Sequence, residues 1–164
     1  MVGVDLSIIW AVIIVFGVMM YVVMDGFDLG IGILFPFVRD KAERDAMMNS
    51  VAPVWDGNET WLVLGGAGLY AALPLADSVI LSAFYLPLMF MLLGLVFRGV
   101  AFEFRFKAKD HKRHIWDKAF IGGSLIAPFF QGVTLGAFIN GVPVQNRAFA
   151  GDSLAWLSPF PLFT

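Results

Sequence analysis

This sequence predicts an all-α membrane protein, a bundle of four transmembrane helices, and three observations carry that reading. Hydrophobic residues fill 59% of the 164 positions against 15% charged, and mean hydropathy is +0.80, far above that of a soluble domain of this length. Charge-free stretches run through Leu6–Met24, Thr60–Ala76, Ser78–Phe97 and Ala119–Asn146, each about as long as the roughly 20 residues a helix needs to cross a ~30 Å hydrocarbon layer. The eleven Lys and Arg residues are unevenly placed: three between Arg39 and Arg44, seven between Arg98 and Lys118, and one at Arg147. The positive-inside rule then puts the N-terminus outside and both basic segments in the cytoplasm.

The first span, over about 7–36, has no Lys or Arg before it and no small-residue cleavage site leading into soluble sequence. It is expected to stay in the membrane rather than serve as a cleaved leader. Next comes "RDKAERDAMMNS", whose mixed charges at helical spacing fit either a short surface helix or a solvated loop with i,i+4 pairs. The second span is expected over about 51–75, with Ser50 as its cap and Pro53 in the first turn, where a missing N–H does no harm. Spans at about 78–98 and 117–140 follow. Gly65, Gly66, Gly68 and the Gly132/Gly136 pair would let helices approach closely. Trp10 and Trp156 fit as anchors at the outer interface. The closing "SLAWLSPFPLFT" reads as the start of a fifth helix, so the chain is expected to be a fragment.

Against this apolar background the acids stand out. Asp25 and Asp28, in "MDGFDLGIG", are the only charges between Leu6 and Val38, and "PVWDGNETW" repeats the spacing with Asp56 and Glu59. Counting about 20 residues inward from Trp10, or back from Leu75, places all four near the inner membrane boundary. Residues three apart share a helix face, so each pair can turn toward the bundle. An ionised carboxylate costs several kcal/mol in hydrocarbon, so such groups face the interior, find partners or take up a proton. The last outcome would make them a shared proton entry. The competing structural reading has the same acids capping the second helix, pairing with Arg98 or Arg105, or resting among headgroups.

Other chemistry is poorly supplied. With no cysteine in the chain, disulfides, thiolate metal sites, iron–sulfur clusters and thiol nucleophiles are excluded from it. His111 and His114, the only histidines, fall in the basic segment "KAKDHKRH", and the span methionines, such as Met19 and Met91, read as apolar filler rather than ligands. Gln131 and Thr134 are a polar pair one turn apart in the fourth span, expected to hydrogen-bond to a neighbouring helix. No phosphate loop or nucleophile–base pair is present, and the basic segment fits membrane topology rather than nucleic acid. Alone, the chain is not expected to catalyse a reaction.

The stretches "MDGFDLGIG", "NSVAPVWDGNETWLV" and "FRGVAFEFR", in that order, resemble subunit II of the cytochrome bd-type quinol oxidases. "WDGNETW" with "RGVAFEFR" is similar to the branch often called cyanide-insensitive oxidase. The resemblance spans most of the chain and corresponds to the N-terminal half of an eight-helix subunit. It implies a haem-free membrane subunit that supports a haem-bearing subunit I and contributes to proton and oxygen access, in a bacterial inner-membrane complex passing electrons from quinol to oxygen. No cofactor is then expected on this chain itself, the haems belonging to the partner, with room for a structural quinone whose contacts are unassigned. Carried over by motif, Asp56 matches an acid of a cytoplasmic proton route, Asp25 and Asp28 match the acids of the first motif, and Glu59 lies beside Asp56. Arg98, Glu103 and Arg105 are candidates for structural ion pairs. A fragment of a proton-coupled membrane transporter is the alternative, and a charged site at mid-membrane on broken helices would favour it.

Overall fold

The computed structural model describes residues 5–163. Six helices account for most of them: α1 (Leu6–Leu34), α2 (Lys41–Val51), α3 (Trp55–Ala72), α4 (Pro74–Lys107), α5 (Arg113–Ile139) and the short α6 (Pro159–Phe163). A two-stranded hairpin, β1 (Val144–Gln145) and β2 (Ala148–Phe149), joins α5 to the C-terminal segment. Asn146 and Arg147 both take positive φ at its tip, which a two-residue turn needs to match the strand twist.

The chain is an all-α, multi-pass membrane protein by its helices. Three of them are long and apolar enough to cross a bilayer, over Leu6–Phe37, Pro74–Lys107 and Asp110–Ile139. The second expected span, placed over about 51–75, is shorter in the structure. α3 has 18 residues, a rise of about 27 Å, and Asp56, Asn58 and Glu59 occupy its first two turns. Its start also differs from the expectation. Ser50 lies inside α2 and donates its hydroxyl to the Met47 carbonyl, while Pro53 sits in the turn between the helices and Val54, with no side-chain cap, precedes α3. The mixed-charge segment is the short helix α2, capped by Asp40, which accepts from the amides of Ala42 and Glu43 at 2.9 and 3.0 Å.

α4 runs well beyond the expected 78–98. Pro74 opens it, where its missing N–H is harmless, and 34 residues carry it past the hydrocarbon layer to Lys107. Pro87 cannot donate to the carbonyl of Ala83, and the backbone departs from helical angles at Phe84, so the helix bends there.

Small residues decide how close the spans come. A Cβ on Gly123 would lie 2.4 Å from the Gly94 carbonyl, and one on Gly94 would lie 2.9 Å from the Ala127 amide, so α4 and α5 meet backbone to backbone. Gly65 and Gly68 perform the same service for α3 against Val18 and Ile14 of α1. Gly66 and Gly132, expected to do likewise, face open space.

Around these contacts lie three apolar clusters. Phe35, Met48, Val51, Ala101, Phe102 and Phe120 close the end of the bundle where α2 lies, with Phe35 and Phe102 both edge-on to Phe120, an arrangement worth about 1 kcal/mol per pair beyond area burial. Leu29, Leu95 and Ala127 fill the middle. At the opposite end Trp156 packs with Phe84, Val133 and Ala137. It is 8% exposed and plugs the bundle rather than anchoring among headgroups, whereas Trp10 is exposed.

Candidate functional site

The buried residues of α1 are Ile14, Gly17, Tyr21, Asp25, Asp28, Leu29 and Gly32, a stripe at three- and four-residue intervals. The same periodicity that turns Ile14 inward turns both acids inward, and neither is exposed at all. α4 meets this stripe with Arg98, also fully buried. Its Nη2 lies 2.7 Å from Asp25 Oδ1 and 2.9 Å from Glu59 Oε2 of α3. One guanidinium therefore joins α1, α3 and α4. Asp28 takes a different partner: Asn58 donates its Nδ2 to Asp28 Oδ2 at 2.9 Å, within the interior.

Removing such charges from water costs several kcal/mol per ion, and their attraction offsets this only when geometry and hydrogen bonding are good. The balance is incomplete here. Nε and Nη1 of Arg98, Oδ2 of Asp25 and Oδ1 of Asp28 have no hydrogen-bond partner among the described residues. The cluster is polar, a condition under which buried water completes a network.

Above it, Gln131 of α5 donates to the hydroxyl of Tyr21, one turn from Asp25 on the same stripe. Thr134 instead bonds within its own helix, to the Phe130 carbonyl at 2.7 Å.

Asp56 is set apart from the other three acids. It is exposed and lines an open groove of about 480 Å³ between α3 and α4, with Trp55, Glu59, Gly99, Glu103 and Phe104 among its walls. Trp55 stacks on Phe102 with ring centroids 5.2 Å apart, and Gly99 leaves the room for it, since a Cβ there would lie 3.2 Å from the indole. Glu59 belongs to both places, touching Arg98 with a side chain 24% exposed.

The other ionic candidates separate. Glu103 is on the surface, paired with Lys107 at 2.8 Å. Arg105 does not reach the buried acids; it is 2% exposed and holds Asp45 of α2 and Asp117 of α5 at 2.5 Å each. The two histidines lie between α4 and the start of α5, His114 Nδ1 lying 2.9 Å from the His111 carbonyl. No group of three or more His, Cys, Asp or Glu converges on a common point among the described residues. Asn58 and Tyr21 were not singled out in the sequence. Their signals were the i,i+4 step from Tyr21 to Asp25 and the amide flanked by Asp56 and Glu59.

Fold and site together define a multi-pass α-helical membrane protein with an acid–arginine cluster buried among α1, α3 and α4 and an acidic groove beside it. Residues 6–164 match the family model of cytochrome bd terminal oxidase subunit II, and the chain belongs to that family. It is 36% identical to cytochrome bd-I ubiquinol oxidase subunit 2 of Escherichia coli strain K12, over 96% of this chain and 43% of that protein. It is 37% identical to cytochrome bd ubiquinol oxidase subunit 2 of Bacillus subtilis strain 168, over 84% of this chain and 41% of that one. A probable cytochrome oxidase subunit 2 of Haemophilus influenzae is 34% identical, over 96% and 43%. The chain thus spans less than half the length of the curated relatives it matches.

Proposed function

We propose that this chain is a haem-free membrane part of a quinol oxidase complex, working in a bacterial inner membrane as the first section of subunit II and giving protons access from the cytoplasm. The observation that carries the reading is the continuity of acids from outside to inside. Asp56 stands on the open groove, Glu59 one turn on touches both groove and Arg98, and Arg98 meets the fully buried Asp25. A proton taken up at Asp56 would pass to Glu59 and then into the polar interior around Asp25, Asp28 and Asn58. Because the groove opens sideways between α3 and α4, the receiving haem-bearing subunit I would pack along it. In this arrangement α3 and the turn before it complete a fourth crossing, and the N-terminus is periplasmic.

The haems belong to the partner. The two imidazoles of this chain lie between α4 and the start of α5, Met48 is packed in an apolar cluster and Met91 is buried, so no step is assigned to a metal here. The acids lie at one end of the bundle rather than in mid-membrane between broken helices, which weighs against the transporter alternative.

Asp56→Asn removes the titratable group at nearly constant shape. In the assembled oxidase it should lower quinol-driven oxygen uptake by an order of magnitude or more while leaving the haem spectrum unchanged. Full oxygen uptake with an intact spectrum would exclude Asp56 from the route.

A further inference from the structure

A second charged cavity lies at the cytoplasmic ends of α2, α4 and α5, away from the acid cluster. It has a volume of about 230 Å³. Five cations surround it, Arg39, Lys41, Arg44, Arg105 and Arg113, against the acids Asp45, Asp110 and Asp117. The cations exceed the acids by two.

These residues play two different parts. Arg44 and Arg105 build the wall: Arg44 donates Nε to the Val38 carbonyl at 2.7 Å, Arg105 is held by two carboxylates, and both guanidinium groups lie over the Phe35 ring, at 5.2 and 5.5 Å from its centroid. Arg39 has no acidic partner among the described residues and is exposed. Lys41 shares Asp110, at 3.1 Å, with Arg113. Arg113 holds its two acids loosely, at 3.4 and 3.7 Å, and its buried Nε has no hydrogen-bond partner. The cavity therefore offers a fixed positive wall and at least two donors with unused capacity.

Its position says what kind of anion comes there. Arg39, on the cavity wall, follows two residues after Phe37, which is 79% exposed, and Leu34, the last residue of α1, is exposed as well. Apolar surface for an acyl chain thus leads directly to basic groups at headgroup depth, a combination by which membrane proteins hold acidic lipids.

We propose that this cavity binds the phosphate of an anionic phospholipid of the cytoplasmic leaflet, with Arg39, Lys41 and Arg113 as its donors. The site depends on the membrane topology and not on the oxidase reading.

The test uses the full-length protein, extracted in neutral detergent, stripped of lipid and given phosphatidylglycerol, phosphatidylcholine or inorganic phosphate. Phosphatidylglycerol should remain bound in native mass spectrometry and raise the melting temperature, and the other two should do neither. The double variant Arg39→Gln/Lys41→Gln changes two exposed side chains and leaves the Asp40 cap intact, so it should fold. Its affinity for phosphatidylglycerol should fall by about fivefold per basic residue removed. Lys118→Gln, on the same membrane face but outside the cavity, should leave affinity unchanged. Equal retention of the two lipids, or equal loss in Lys118→Gln, would overturn the site. Stabilisation by inorganic phosphate as large as that by phosphatidylglycerol would assign the cavity to a free anion and overturn the lipid.

Discussion

Arg98 is the residue on which the interior charges depend, because a single nitrogen of its guanidinium meets carboxylates from two other helices. Arg98→Met would leave Asp25 buried without a counter-charge, and loss of one partner from a buried pair costs about 3–5 kcal/mol. The variant should therefore melt well below the parent in detergent. Adding Asp25→Asn should recover part of the loss, so the two changes should be strongly non-additive in a thermal-stability cycle. Asp56→Asn, on the exposed face of α3, should leave the melting temperature within the range of ordinary surface substitutions, about 0.5 kcal/mol. The two acids would then separate by their readouts, one structural and one kinetic. That Asp25, Asp28 and Glu59 turn inward was legible from their spacing against apolar neighbours. That Arg98 and not Arg105 receives them was not. Seven residues separate the two arginines, almost two turns, so both fall near one helix face, and only the opposing helices tell them apart.

At the scale of the element, the α4–α5 contact depends on glycines that sequence alone does not distinguish. Gly122 and Gly123 are adjacent and identical in type, yet a Cβ on Gly122 meets nothing within 4 Å while one on Gly123 would strike the backbone of α4. Gly123→Ala should force α4 and α5 apart and destabilise by about 1–3 kcal/mol. Gly122→Ala should be neutral or slightly stabilising, since alanine is the better helix former. Thermal melting of the pair checks both. The bend in α4 has its cause in Pro87, which was not singled out in the sequence. Its length was not, because the helix continues past the end of the charge-free run. Arg98 and Arg105 ended the apolar stretch without ending the helix, since their charges are taken up by Asp25, Glu59, Asp45 and Asp117. Ser50 misled for a related reason. It has the chemistry of a cap, but α2 already held its backbone, and its hydroxyl turned back to Met47.

For the whole molecule, the distribution of Lys and Arg predicts an orientation that can be tested cleanly, because the sequence contains no cysteine. A single cysteine at Lys109 should react with a membrane-impermeant maleimide only in inside-out vesicles. One at Arg147, on the hairpin tip, should react only in right-side-out cells. The opposite pattern would invert the topology and remove the cytoplasmic proton entry. Membrane class and the inward turn of Asp25 and Asp28 were legible in composition and charge, whereas four spans were expected and three helices are long and apolar enough among the described residues, and Asp56 is exposed. The buried Trp156 and the groove beside Asp56 were not, since each arises from segments far apart in the chain, and the local hairpin rests on two strands of only two residues each, too short to show a pattern.

The three-helix charge junction also sets a condition on biosynthesis. Arg98 follows Asp25 by 73 residues in the chain, and at about 5–20 residues per second of elongation the acid of the first helix emerges several seconds before the arginine that will hold it. Until α4 arrives, the inner end of α1 has no place in hydrocarbon and must wait among headgroups or within the insertion machinery. A ribosome stalled between the two helices should thus leave α1 shallower in the bilayer than in the finished protein.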